Sequence, residues 1–180
     1  EVARGSASAM TSILSSGILS IVGIVAYIAI AYLVGNPTNV DQSILLFAVI
    51  LIPFMFLNSV LTAINLGYRP QSTAYGSISL SITQVIMGLI FVHFLSMGVK
   101  GIILSLVLSY ITSNILLLIF ARNKIKDKFR KEFLKKCLRL FWIPLYPGFA
   151  IIVAKLDIVI FSIVTGSVVG LAFWTAAMAL

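Results

Sequence analysis

The sequence predicts an all-α fold, a polytopic bundle of transmembrane helices, and three observations support this prediction. Apolar residues make up 61% of the 180 residues and charged residues only 10%, whereas soluble domains carry about 25% charged residues. The apolar residues form long continuous runs, without the alternation that barrel strands require. Nine of the thirteen lysines and arginines fall within residues 122–139. Because a backbone in lipid must satisfy its own hydrogen bonds, the continuous runs predict helices.

Five apolar runs are long enough to cross a bilayer, since about 20 helical residues span a typical hydrocarbon core. A sixth run starts at Val168 and is still apolar at the last residue. We expect the chain to be a segment of a longer protein, whose remaining helices complete the bundle, because it begins with Glu1 and ends inside the sixth run. The five complete runs cover residues 10–34, 43–66, 73–96, 99–121 and 143–165.

Prolines predict irregular geometry in two of these runs. Pro53 lies in the middle of the second run, where its ring clashes with the carbonyl of Val49 and should kink the helix. Pro144 and Pro147 open the fifth run. Proline is tolerated in a first helical turn, and with Gly148 the pair is equally compatible with the broken helices that occur in transporters.

The distribution of basic residues predicts the orientation of the chain in the membrane. Loops rich in lysine and arginine lie mostly on the cytoplasmic side, which places residues 122–139 in the cytoplasm. Alternating the spans from that point puts Arg4 and Arg69 on the same side and leaves Lys100 alone on the opposite side. Arg4 and Arg69 were not used to set the orientation, so they support it independently. We therefore predict a multi-pass protein of the cytoplasmic membrane.

Residues 122–140 predict an amphipathic cytoplasmic helix that lies on the membrane surface and links two bundles. The apolar side chains share one face and the cations lie mostly opposite. Asp127 with Lys131 and Glu132 with Lys136 form helix-supporting pairs four residues apart. Because this basic segment lies between two spans, its charge predicts contact with anionic membrane lipids and not with nucleic acid. Alternatively, the segment serves only as a topological anchor. The predicted membrane-surface residues are Lys128, Lys131, Lys135, Lys136 and Arg139.

Small and polar residues recur at intervals of three and four within the spans, so each set lies on one helix face. Such stripes are typical of helix packing, although large amides also line hydrated paths. We predict Asn58, Asn65 and Gln84 as cavity-lining residues. The stripes are Ser12, Ser16, Ser20, Gly23 and Tyr27; Asn58, Thr62 and Asn65; Ala74, Ser77, Ser81, Gln84 and Gly88; and Gly101, Ser105, Ser109 and Thr112.

The fifth run contains two charged residues, Lys155 and Asp157. A charge at the bilayer centre costs about 2.5–3.5 kcal/mol on insertion scales. Residues two apart lie about 200° from each other around a helix, so these two cannot face the same side. Both a buried ion pair with another helix and a functional role are compatible with this pattern. In the functional role, Lys155 contacts an anionic substrate and Asp157 binds a cation or a proton.

No pattern in the sequence predicts an enzyme, a metal site or a cofactor. Cys137 is the only cysteine and His93 the only histidine, which excludes an intrachain disulfide and a cysteine cluster. His93 lies near the end of the third run, where we expect an interfacial anchor. The chain has no GxSxG motif and no glycine-rich phosphate loop after a strand.

Several segments resemble the polysaccharide flippases of the Wzx type, which export O-antigen or teichoic-acid precursors, in the MOP exporter superfamily. The stretch GVKGIILSLVLSYI is similar to the sixth helix of that family, and the basic linker resembles the one joining its two lobes. The start of the fifth run, its acidic residue and the small and aromatic residues that follow resemble the family's seventh and eighth helices. These counterparts are Pro144, Pro147, Asp157, Gly166, Gly170, Phe173 and Ala176.

The resemblance implies a MATE-like fold of two lobes that moves a lipid-linked oligosaccharide across the membrane by alternating access. Residues 1–121 would be helices three to six of the first lobe, and residues 141–180 helix seven and the start of helix eight. Lys155 would face the anionic substrate, with Asp157 as its structural or ion-coupling neighbour. Arg4 and Arg69 would assist headgroup capture or only fix the topology.

Three other functions are compatible with the sequence. A cation-coupled antiporter for drugs or small solutes, from the same superfamily, would depend strongly on Asp157. A membrane-embedded enzyme of glycan assembly would need a large extramembrane loop with paired acidic residues, whereas the longest loop here is basic. A scaffold without transport activity would tolerate Lys155→Ala apart from any effect on folding.

Overall fold

The computed structural model describes residues 9–38 and 42–125, together with residues 132, 134, 135 and 139. In this part of the chain almost every residue is helical, and four helices are long and apolar enough to cross a membrane. The all-helical class is therefore confirmed for the described residues, and each of the first four predicted runs falls on one of these long apolar helices. The fifth and sixth predicted spans, with Lys155 and Asp157, lie outside the described residues. The chain divides into two compact units, residues 1–135 and 136–180.

The four spans contain five α-helices and two short irregular helical turns. The spans are Ala9–Tyr32, Gln42–Tyr68, Pro70–Phe94 and Gly98–Arg122. A six-residue π-helical turn extends the third span, and a 3-10 turn interrupts the second. In chain order the elements are α1 (Ala9–Thr38), α2 (Gln42–Phe47), the 3-10 turn Ala48–Ile50, α3 (Leu51–Tyr68), α4 (Pro70–Gly88), the π turn Leu89–Phe94 and α5 (Gly98–Ile125).

The interruption of the second span lies where Pro53 predicts it. Proline has no N–H to donate to the carbonyl four residues earlier, which here belongs to Val49. The 3-10 turn at Ala48–Ile50 contains that carbonyl and separates α2 from α3. Pro53 thus follows a short change of helix type within one span.

Helix α5 lies at the centre of the described bundle, where it packs along both α3 and α4, while α1 packs mainly on α3. Leu61 of α3 and Leu117 of α5 are fully buried. Gly76 lets α4 approach closely, because a Cβ atom there would lie only 2.9 Å from Cδ2 of Leu117. Many large apolar side chains face outward, as expected for a bundle surrounded by lipid.

The connection between α3 and α4 is a single residue, Arg69, followed by Pro70 at the first position of α4. The Arg69 N–H donates to the carbonyl of Asn65 at 2.7 Å. Proline suits this position because the first helical N–H groups have no intrahelical acceptor. This tight turn brings the end of α3 and the start of α4 together at one end of the bundle.

Candidate functional site

A first group of polar side chains joins α3, α4 and α5 in the bundle interior. Nδ2 of Asn58 donates to Oγ of Ser113 and to Oδ1 of Asn114, both at 3.0 Å. Nδ2 of Asn114 donates in turn to the carbonyl of Phe54 at 3.0 Å. Oγ of Ser113 donates to the carbonyl of Gly76 at 3.1 Å. These bonds attach α3 to α5 and α5 to α4.

A second group forms about two turns further along α3. Nδ2 of Asn65 donates to the carbonyls of Leu61 and Leu117, at 2.9 and 3.1 Å. Oδ1 of Asn65 accepts from Oγ of Ser72 at 3.0 Å, and the same hydroxyl lies 2.6 Å from the carbonyl of Arg69. Asn65 is only 2% exposed, so its polar atoms need these partners. Asn58, Asn65, Ser72, Ser113 and Asn114 are called the polar seam below.

The polar seam corrects one feature of the sequence interpretation. The predicted stripe on the fourth span ended at Thr112, but Thr112 is exposed and its hydroxyl donates to the carbonyl of Leu108 within α5. The α5 side chains that form hydrogen bonds with α3 are those of Ser113 and Asn114, which the sequence analysis missed. The four-residue spacing from Ser105 and Ser109 would have pointed to Ser113.

Helix α4 carries a different set of polar residues, whose side chains form no hydrogen bond to another described helix. Ser77 and Ser81 are exposed and Gln84 is half-buried. Within the described part of the chain, the Ser77 hydroxyl donates only to the carbonyl of Thr73 in its own helix, and the side chains of Ser81 and Gln84 form no hydrogen bond. Ser77, Ser81 and Gln84 are called the α4 polar flank below. At the end of the same stripe, Gly88 does lie close to α5, because a Cβ atom there would be 3.8 Å from Oγ of Ser105.

The α4 polar flank lies between two other faces of the same helix. Ser72 and Gly76 are buried against α3 and α5, whereas Ile78 and Val85 are more than half exposed on an apolar outer face. A polar group that faces hydrocarbon without a partner is unfavourable. The Ser77 hydroxyl has an acceptor in its own helix, so it is Ser81 and Gln84 that require water, a polar ligand or another polar helix in the membrane.

A pocket of about 500 Å³ opens where α3 and α5 end. Two of its lining residues, Arg69 and Arg122, are exposed cations. No described lining residue is acidic, and the only carboxylate in the described part of the chain, that of Glu132, does not line the pocket. The residues that line this basic pocket are Ile64, Asn65, Tyr68, Arg69, Ile119, Phe120, Ala121 and Arg122.

The three amides predicted to line a cavity thus lie in three settings. Asn58 is part of the polar seam, Asn65 is part of the seam and also of the pocket wall, and Gln84 is on the α4 polar flank. A role of Asn58 or Gln84 in a transport cavity stays a prediction. Lys135 and Arg139 are helical and exposed, while the remaining predicted membrane-surface cations lie outside the described residues: Lys128, Lys131 and Lys136.

His93 is exposed in the π turn, and its ring contacts that of Phe94 edge-on, with the ring centroids 5.4 Å apart. Among the described residues, no group of three histidine, cysteine or acidic side chains is placed to bind a metal ion.

Comparison of the chain with protein-family models, with curated proteins and with solved structures found no match. The functional interpretation therefore depends on the residues of this chain. Three features bear on it: the polar seam, the α4 polar flank and the basic pocket.

Proposed function

We propose that this chain is part of a membrane transporter that moves a lipid-linked oligosaccharide across the cytoplasmic membrane by alternating access. The α4 polar flank is the observation that carries the proposal. Its two hydroxyls and one amide lie along a span of 25 residues and form no hydrogen bond to another described helix. A hydrated path bordered by Ser77, Ser81 and Gln84 would provide partners for Ser81 and Gln84.

The polar seam supports the same mechanism in a different way. Alternating access requires groups of helices that rock as rigid bodies around the path. Asn58 and Asn65 each bond α3 to α5, and Ser113 bonds α5 to α4. Three helices joined in this way would move together, with the α4 polar flank on the surface of the moving group.

The chemistry of an oligosaccharide suits the flank. Sugar hydroxyls both donate and accept hydrogen bonds, as do the serine hydroxyls and the glutamine amide. The anionic phosphate of a lipid-linked sugar requires a cation along the path, and Lys155 is the predicted candidate, with Asp157 as its neighbour. Both residues lie outside the described residues, so their roles stay predictions from the sequence.

The decisive experiment is flipping of a fluorescent lipid-linked oligosaccharide in proteoliposomes that contain the intact protein. We expect Gln84→Leu and Lys155→Ala each to slow flipping at least tenfold. A tenfold change in rate corresponds to an increase of about 1.4 kcal/mol in the activation free energy. Asp157→Asn tests the coupling role of the acidic residue. Val85→Leu is the matched control, because it changes the apolar outer face of α4 next to Gln84.

The outcomes of this experiment separate the competing functions. Normal flipping in both Gln84→Leu and Lys155→Ala, at normal expression, would exclude the proposed path. Equal loss in Val85→Leu would assign the effect to folding instead of the path. Absence of flipping by the wild-type protein would favour the cation-coupled antiporter or a scaffold, and cation-driven solute efflux that Asp157→Asn abolishes would then identify the antiporter.

A further inference from the structure

The basic pocket brings together two arginines from distant parts of the chain. Arg69 forms the connection between α3 and α4, and Arg122 lies near the end of α5. Both line the same pocket of about 500 Å³, and no ion pair to either is formed within the described residues. Two like charges beside one cavity repel each other, and an anion between them would offset that repulsion.

The simplest alternative is that the two arginines only anchor the ends of their spans. Arginine near a span end fixes topology, and near a helix C-terminus it also offsets the partial negative charge of the helix dipole. Anchoring of this kind needs neither a shared cavity nor an apolar wall. The pocket has both, because Ile64 from α3 and Ile119 and Phe120 from α5 line it beside the two cations.

The lining of the pocket defines the chemistry of its ligand. A guanidinium group forms paired, charge-assisted hydrogen bonds with phosphate oxygens. Ile64, Ile119 and Phe120 offer a surface for hydrocarbon next to the charged groups. The volume is within the usual range for small-molecule sites, about 300–1,000 Å³. A ligand with a phosphate group and an attached hydrocarbon chain combines these properties.

We infer that the basic pocket binds the phosphate group of a lipid. Arg69 and Arg122 would contact the phosphate, and the apolar side chains of the pocket would contact the start of the lipid chain. The phosphate belongs either to a membrane glycerophospholipid or to an isoprenyl pyrophosphate of the kind that carries glycans. The inference does not depend on the proposed transport function, because no described residue of the α4 polar flank lines this pocket.

Native mass spectrometry of the intact protein in detergent micelles measures this binding directly. The probes are phosphatidic acid, a diacylglycerol with the same acyl chains, and farnesyl pyrophosphate. We expect at least one phosphate-bearing probe to bind at least tenfold more tightly than diacylglycerol. A higher affinity for phosphatidic acid assigns the site to a membrane phospholipid, and a higher affinity for farnesyl pyrophosphate assigns it to an isoprenyl carrier.

Variants test whether the two arginines are responsible. Arg69→Gln combined with Arg122→Gln should weaken phosphate-lipid binding at least tenfold. Lys100→Gln removes an exposed cation at the start of α5 and should leave binding unchanged. Undiminished binding by the double variant, or an equal loss in Lys100→Gln, would overturn the inference, as would equal affinity for diacylglycerol.

Two additional variants keep the inference testable if the double glutamine variant does not fold. Arg69→Lys with Arg122→Lys keeps both charges but removes the paired hydrogen bonds of guanidinium, so we expect a loss of about threefold to tenfold. Phe120→Glu places a carboxylate in the wall of the pocket, where it should repel phosphate and reduce binding at least tenfold. Full binding by Phe120→Glu would place the lipid elsewhere. Because these readouts record bound lipid, a failure here leaves the flipping experiment unaffected.

Discussion

Helices α5 and α4 carry similar polar stripes, but the bundle uses them differently. Ser105, Ser109 and Ser113 of α5 are no more than 2% exposed, whereas Ser77 and Ser81 of α4 are open to the surroundings. Both sets recur every four residues, so each lies on one helix face. The comparison teaches that spacing identifies a polar face, while packing decides whether that face stabilises the protein or remains available for water and ligands.

The hydrogen bonds explain why the stripe on α5 can be buried. Oγ of Ser105 donates to the carbonyl of Ile102 at 2.7 Å, and Oγ of Ser109 donates to the carbonyl of Ser105 at 2.6 Å. Ser113 instead reaches α4. A small hydroxyl satisfied in this way lets helices approach closely without leaving a polar group unpaired in a low-dielectric interior.

The largest expected effect comes from separating α4 from α5. Gly76→Leu places a side chain against Leu117, and overpacking of this kind costs about 1–3 kcal/mol. We expect a decrease at the upper end of that range in the free energy of unfolding of the intact protein in micelles, measured by denaturant titration. Gly17→Leu is the matched control, because no atom lies within 4 Å of a Cβ at Gly17. Equal stability of the two variants would contradict the described α4–α5 contact.

A second test replaces one amide from the polar seam and one from the α4 polar flank with the same residue. Asn65→Leu removes two donated bonds and one accepted bond, and we expect it to lower the free energy of unfolding by about 1–2 kcal/mol. Gln84→Leu should change the same quantity by less than about 0.5 kcal/mol. If Gln84→Leu is the more destabilising of the two, the distinction between seam and flank is wrong.

The third prediction concerns coupling within the seam. A double-mutant cycle with Asn58→Leu and Asn114→Leu should give an interaction energy of about 0.6–1.7 kcal/mol, from the mean to the maximum of such values for interhelical hydrogen bonds in membranes. The reference cycle pairs Asn58→Leu with Gln84→Leu, two residues that share no partner among the described residues. That cycle should be additive within about 0.5 kcal/mol, and equal coupling in both cycles would remove the support for a direct bond.

Cysteine labelling should have the smallest effect on stability. It tests directly whether water reaches the α4 polar flank. In a Cys137→Ser background we expect Ser81→Cys to react with a water-soluble maleimide at least tenfold faster than Val85→Cys or Ser109→Cys. The reactive species is the thiolate, which forms readily only in a hydrated setting. Labelling of Ser81→Cys as slow as that of Val85→Cys would show that lipid or protein covers the flank.

The sequence predicts the described spans well and the interactions between them poorly. The first predicted run, residues 10–34, closely matches the helical span Ala9–Tyr32, and the run 73–96 closely matches Pro70–Phe94. Hydrophobic length fixes these boundaries because the bilayer and the helix rise fix how many residues must be apolar. The partners of Asn58 could not be predicted, because they come from a helix more than fifty residues later in the chain.

The sequence by itself determined that the chain forms membrane helices, where Pro53 interrupts one of them and which residues share a helix face. These properties depend on local geometry and on the energy of placing each residue in lipid. Only the tertiary structure decided that Asn65 is buried in a seam, that Gln84 is not, and that Arg69 and Arg122 border one pocket. The reason is that helix periodicity fixes directions around each axis, whereas contacts depend on how α3, α4 and α5 pack together.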